Sequence, residues 1–263
     1  MSEIYLDSKI VGEVIAECRR SKNLSQEVLS GLANIGRTHL SSIERGERKP
    51  TLETLYRLSK EFAKLIVYYK CAMLEVQTRF TVLNEEFALE HGRTPVNSIK
   101  TRLKTIPSIR EKMERRNIPF SLDAMEQGLN DIAGVRVICA FPEDVNTMAN
   151  TFLQQDDVVL LQKKDYITNP KPNGYRSLHL IIAIPVHLAD GKRMTKVEIQ
   201  IRTIAMDFWA SLEHQLRYKR ANEFTEDMAK ELYECAQLSA ALDNRMDNLR
   251  RSVHKYNNPT DGI

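Results

Sequence analysis

Long apolar runs are missing from this sequence. No segment approaches the ~20 consecutive apolar residues that a membrane helix needs. The opening MSEIYLDSKI has no basic region followed by an apolar stretch. Both absences predict a cytoplasmic protein. The four cysteines, Cys18, Cys71, Cys139 and Cys235, are scattered and form no C-x-x-C pair. That favours reduced thiols over disulfides or a zinc site. An excess of one charge is also lacking. A formal net charge of +3 does not announce nucleic acid, yet it leaves room for a local basic site. Internal repeats and low-complexity tracts are absent too. What remains is 42% hydrophobic and 28% charged over 263 residues. That composition suits an ordinary globular protein with one large domain, or a medium one plus a small one.

The texture of the chain changes near residue 62. Before it lie short helical patterns broken by single turn residues. After it, Phe62, Leu65, Ile66, Tyr69, Met73, Val76, Phe80, Leu83 and Phe87 recur at steps of three and four, which predicts one long amphipathic helix. His91-Gly92 and Pro95 end it. A helix is expected over 106–116 and another over 143–155. Strand-like runs cover 135–141, 158–163, 177–184 and 196–202. Helices follow at 203–220 and 225–256. In the last, Met228, Leu232, Cys235, Leu242, Met246, Leu249 and Val253 make a stripe at heptad-like spacing. The predicted architecture is α+β, a mixed sheet flanked by helices over 62–263, with a small all-α domain over 1–61.

That first domain has its own signature. Ser25-Gln26-Glu27 opens a short helix as an N-cap with a polar first turn. Asn34-Ile35-Gly36 turns the chain, a second helix runs from Arg37 to Arg45, and Gly46 ends it. Val28, Leu29, Leu32, Ile35, Leu40 and Ile43 supply a core. Arg37, Thr38, His39, Ser41 and Ser42 are left facing outward. The segment SQEVLSGLANIGRTHLSSIERGERKPTLETLYRLS resembles the Cro/phage-repressor class of helix-turn-helix. The resemblance implies that Arg37, Thr38 and Ser42 face major-groove base edges, with Gln26 near a phosphate. Basic and acidic residues nearly balance across this segment, so a protein-contact module that kept the fold without DNA is the competing reading.

Four stretches of the second half concentrate chemistry. Arg102, Lys104, Ser108 and Lys112 gather cations and a hydroxyl on what reads as a turn entering a helix. A polyphosphate cradle is one reading and a solvated basic face the other. Asp131 stands just before an apolar run, with Arg136 five residues on. A carboxylate there can hold magnesium, although a strand cap is the commoner role. The loop Lys164-Asp-Tyr through Pro170-Lys171-Pro172-Asn173-Gly174-Tyr175-Arg176-Ser177-Leu178-His179 is stiffened by prolines and Asn-Gly. It offers lysines, a ring for stacking on a purine, and a histidine. Finally, alternation over Lys196–Arg202 puts Glu198, Gln200 and Arg202 on one face. A carboxylate on such a strand is costly unless paired or metal-bound, which makes Glu198 a candidate base or metal ligand.

Together DIAGVRVI, KPNGYRSLHL and VEIQIRTIAMDFWASLEHQLRYK resemble the synthetase domain of the (p)ppGpp synthetases, specifically the small alarmone synthetases, over about residues 62–256. The resemblance implies a nucleotidyltransferase-like fold and Mg²⁺-dependent transfer of pyrophosphate from ATP to the 3′-hydroxyl of GDP or GTP. By the same resemblance, Arg102 and Arg136 sandwich the adenine, and Lys104, Ser108 and Lys112 meet its phosphates. Asp131 and Glu198 hold Mg²⁺, with Glu198 also the base. Tyr175 stacks on guanine, and Lys164, Lys171, Asn173, His179 and Gln200 line the acceptor site. The family forms homotetramers through terminal helices, so a tetramer or dimer is expected. Two other readings stand beside this one: a transcription regulator that senses nucleotides, and a toxin that pyrophosphorylates an adenine nucleotide or a tRNA end.

Overall fold

A computed structural model describes residues 7–21, 25–33, 35–119, 122–189, 191–219 and 224–257. They fall into two units, Met1–Lys70 with Lys104–Ile132, and Cys71–Leu103 with Ala133–Ile263.

The first unit begins with α1 (Ser8–Ser21), α2 (Gln26–Leu32) and α3 (Arg37–Glu44). Leu40 and Ile43 are fully buried, and Leu29 and Ile35 half-buried. The expected core residues Val28 and Leu32, and turn residue Asn34, lie outside what is described. One buried carboxylate binds the three helices: Glu44 accepts from Arg19 Nε at 2.7 Å and Nη2 at 2.9 Å, and from Gln26 Nε2 at 2.8 Å. Burial pushes its carboxyl up, but the Arg19 and Gln26 hydrogen bonds outweigh that and hold it below the usual range. Gly46, at φ +72°, turns the chain after α3, and a Cβ there would lie 2.6 Å from the Lys9 Cα.

The helix α4 (Leu52–His91) is a single run of 40 residues. It starts ten residues before the change of texture near 62, because Thr51 caps it: its Oγ1 accepts from Thr54 N at 3.1 Å. The side chain of Phe62 lies outside the described set. The first unit also holds α5 (Ile106–Arg115) and α6 (Leu122–Gly128), around buried Ile109, Met113, Met125, Leu129 and Ile132.

The second unit is built on a five-stranded sheet in the order β1-β2-β5-β4-β3. The strands are β1 (Val96–Leu103), β2 (Ala133–Cys139), β3 (Val159–Asp165), β4 (Leu178–Leu188) and β5 (Gly191–Thr203). Only β2 and β5 pair in parallel, so the sheet is mixed, as the alternation of strand-like and helical patterns predicts. The strand β1 was not visible in the sequence. It places Arg102 on a strand rather than in the turn expected there. Its VNSIKTRL carries few apolar residues because an edge strand buries little.

The helix α7 (Pro142–Leu153) stacks Phe152 on Phe80 of α4, with centroids 4.6 Å apart. Its buried Asp144 accepts from Arg93 at 2.7 and 3.0 Å. The α8 helix (Ile204–Lys219) and α9 (Glu226–Asn257) close the unit, joined by Trp209 Nε1 donating to the Leu232 carbonyl at 2.9 Å. Apart from Leu232, which packs against Trp209 and Ala236, the α9 stripe is not its packed face. Met228, Leu242, Met246, Leu249 and Val253 are all more than half exposed, while Ala236, Asp243 and Asp247 are buried. No described helix is long and apolar enough to cross a membrane.

Candidate active site

The register of the sheet builds the site. Lys100 of β1 pairs with Arg136 of β2, Arg136 with Gln200 of β5, Gln200 with His179 of β4, and His179 with Lys164 of β3. One lateral row of polar side chains therefore crosses all five strands. Paired residues of neighbouring strands point to the same face, so these five share one surface. Glu198 pairs with Gly134, which itself pairs with Arg102. Two residues along each strand, the same face thus carries Arg102 and the candidate base.

Around Tyr175 the polar groups interlock. Arg202, almost fully buried, donates from Nη2 to the Tyr175 hydroxyl at 2.5 Å and to Gln200 Oε1 at 2.8 Å. The Tyr175 oxygen and His179 Nε2 are 2.7 Å apart. Since Arg202 can only donate, the phenol is free to give its proton to Nε2. That leaves Nδ1 as the protonated nitrogen, and it lies 3.4 Å from Glu198 Oε1. Gln200 Nε2 is 3.3 Å from the other Glu198 oxygen. A ring suited to a purine and a carboxylate suited to a proton are thus joined through one imidazole.

The loop before β4 is held just as firmly. Asn173 accepts from Tyr175 N at 3.2 Å and donates to Glu213 Oε1 at 3.2 Å. Gly174 sits at φ +85°, and a Cβ there would come within 2.5 Å of the Ala236 Cβ. Lys171 Nζ lies 4.7 Å from the Tyr166 ring centroid and 4.8 Å from that of Tyr175. Lys164 is exposed at the sheet edge.

In the first unit, two cations hold one carboxylate. Lys104 Nζ and Lys112 Nζ both donate to Asp131 Oδ2, at 2.8 and 2.5 Å. Burial pushes the Asp131 carboxyl up, and the two lysines together override it to bring it below the usual range. Its other oxygen, Oδ1, is buried with no hydrogen-bond partner among the described residues. An orphaned carboxylate oxygen is unfavourable unless a cation or donor reaches it, so the residue fits a hard divalent ion. Ser108 belongs to the cap of α5, where Thr105 Oγ1 accepts from its backbone N.

In the helix-turn-helix, Arg37 and Thr38 are exposed on α3, with Arg37 66% exposed at its side chain. His39, Ser41 and Ser42 are half-buried rather than outward-facing. The cause is local: the Ser42 hydroxyl donates to the His39 carbonyl, and Arg45 donates to Ser41 Oγ. Gln26, expected near a phosphate, has its amide on Glu44.

Sequence reasoning missed Lys100, Tyr166 and Asp207 as parts of the sheet site, and it placed Arg202 on the right face without giving it a role. For Asp207 there was no signal, because it serves the site from a helix.

The family model described as a region found in RelA/SpoT proteins matches residues 101–223, and a helix-turn-helix model matches 15–67. The GTP pyrophosphokinase YwaC of Bacillus subtilis (strain 168) is 40% identical over 202 residues, covering 77% of this chain and 96% of its own. The small alarmone synthetase 1 of Bacillus subtilis bound to its product pppGpp superposes with a TM-score of 0.68 at 32% identity, over 74% of this chain and 99% of its own. The same enzyme bound to AMPCPP gives 0.63 at 28% identity, over 74% and 99%. The chain belongs to the small alarmone synthetases of the RelA/SpoT type, and it carries a Cro/repressor-type helix-turn-helix ahead of the synthetase domain.

Proposed function

We propose that this chain is a cytoplasmic, Mg²⁺-dependent synthetase that moves the β,γ-pyrophosphate of ATP onto the ribose 3′-hydroxyl of GDP or GTP. GTP pyrophosphokinase activity belongs to its family; the acceptor, the metal and the residue roles are our reading. The Tyr175–His179–Glu198 contact chain carries it. A 3′-hydroxyl is a weak nucleophile and needs a base held beside the nucleoside it activates. Glu198 takes the hydroxyl proton, the oxygen bonds to the β-phosphorus of ATP, the bond from that phosphorus to the α-phosphate bridging oxygen breaks, and AMP leaves. Tyr175 stacks on guanine, and Lys164, Lys171, Asn173, His179 and Gln200 bind the rest of the acceptor. Arg102 and Arg136 hold the adenine, and Lys104, Ser108 and Lys112 the donor phosphates. Asp131 and Glu198 would hold the Mg²⁺, which when bound neutralises phosphate charge.

Incubation with labelled ATP and each of GDP, GTP, ATP and tRNA, followed by product identification, tests the reading. A 3′-pyrophosphorylated guanine nucleotide is expected. A labelled adenine nucleotide or tRNA end as the sole product overturns it.

The N-terminal module supports a second activity. The exposure of Arg37 and Thr38 on α3 supports a reading in which they meet DNA bases, with Ser42 and Gln26 as weaker contributors because both are engaged within the module. The exposed α9 stripe suits a dimer or tetramer, which would present these modules in pairs.

A further inference from the structure

Three cations converge on one carboxylate. Asp207, nearly buried near the start of α8, accepts from Arg136 Nη1 at 3.1 Å and from Arg202 Nη1 at 3.3 Å, both on Oδ1. Lys100 Nζ occupies Oδ2 at 3.1 Å. Arg136 is the arginine assigned above to the adenine of the donor. Arg202 is the buried group that grips the Tyr175 hydroxyl and Gln200 on the acceptor side. A single oxygen therefore touches both halves of the reaction. The bond to Arg202 is the longer of the two, and Arg136 Nε is buried without a hydrogen-bond partner among the described residues.

We propose that Asp207 is a positioning residue that couples donor and acceptor binding. A donor base drawing on Arg136 changes how much of the shared Oδ1 is available to Arg202. Arg202 in turn sets the orientation of Tyr175 and Gln200. Because both arginines share one acceptor oxygen, a displacement of either shifts the bond of the other, so occupancy of either nucleotide site alters the affinity of the other, and by linkage the effect is reciprocal. Asp207 touches neither substrate. The inference rests on the assignment of Arg136 and Tyr175 made above.

The test is Asp207→Asn, which keeps the shape and loses the charge. We expect the KM values for ATP and for GDP both to rise about tenfold with kcat within about threefold of wild type. A merely structural role would lower kcat through loss of active enzyme and leave both KM values alone. The dissociation constant of GDP is then measured with and without saturating AMPCPP. In the wild type the two values should differ by about fivefold or more, and in Asp207→Asn their ratio should approach one. Should that variant fail to fold, Arg202→Lys breaks the acceptor side of the link while keeping charge, and the same loss of coupling is expected. A wild-type ratio of one, or a rise in only one KM, overturns the proposal. The site assignment fails separately, if Arg136→Ala leaves the KM for ATP unchanged or Tyr175→Ala leaves that for GDP unchanged.

Discussion

The face of the sheet and the exposed face of α3 are both places where a protein would meet a nucleotide or nucleic acid, and they are built in opposite ways. On the sheet, Tyr175, His179, Glu198, Gln200, Arg202 and Asp207 each touch at least one other member of the group. On α3, the contact of Arg37 among the described residues is a 3.9 Å approach to Glu27, and both side chains are mostly exposed. Such a surface pair contributes little. The contrast fits the two tasks proposed for these surfaces. Transfer between two bound nucleotides needs side chains held before the substrates arrive, since misplacement by an ångström is costly in rate. Reading a groove needs long side chains that find their base edge on contact, anchored only at the backbone. Rigidity in the small module is placed behind the exposed face of α3, in the Glu44–Arg19–Gln26 cluster.

The largest expected effect breaks the sheet side. Glu198→Gln should leave the fold intact and reduce turnover ~10²–10⁴-fold. Asp131→Asn should reach the same range, and raising the Mg²⁺ concentration should recover part of its activity. Near-normal product formation by either purified variant would remove these carboxylates from the mechanism.

Next in size is the support behind α3. Glu44→Ala should destabilise the helix-turn-helix by about 3 kcal/mol, because it strands the partly buried Arg19 charge. Thermal unfolding of the module would record it. The carboxyl of Glu44 is depressed below its ordinary value near 4.5, so its contribution is complete above that value and is lost as pH falls through the depressed one. Stability of the wild-type module should therefore drop on acidification, and that of Glu44→Gln should drop less. Parallel pH profiles would contradict the assignment.

Smaller effects distinguish the two modes of recognition. Tyr175→Ala should weaken acceptor binding by roughly 1–3 kcal/mol through lost stacking. Tyr175→Phe keeps the ring but removes the hydroxyl's contacts with Arg202 and His179, so it should show a milder loss of affinity together with a changed pH–rate profile. Equal losses of affinity in the two variants would place the binding energy in the hydroxyl instead. Arg37→Ala should cost about 1–3 kcal/mol at one base pair if it reads guanine, with no change in the melting of the module. A gel shift on the DNA upstream of the gene measures it. No shift at low salt, where even non-specific binding appears, would reassign α3 to protein contact. Smallest of all, removing residues 1–50, up to the Thr51 cap of α4, should leave kcat/KM within about threefold, because every residue assigned to the transfer lies at Arg102 or beyond.

Local periodicity by itself determined much of this protein. The 3.6-residue stripe of α4 and the N-cap and glycine signals around α2 and α3 were legible, because they express the geometry of a short stretch of chain. So was the alternation that sends Glu198, Gln200 and Arg202 to one face. The stiff Asn173-Gly174 loop was legible for the same reason. Tertiary structure alone decided what those faces meet. The row from Lys100 to Lys164 exists only because β1, β2, β5, β4 and β3 pair in one register, and register depends on hydrogen bonds between residues far apart in the chain. The strand β1 stayed hidden since an edge strand needs little apolar pattern. Asp131 between two lysines, and Asp207 between two arginines, were equally invisible. A buried carboxylate is defined by the charges folded around it, and no spacing along the chain records those.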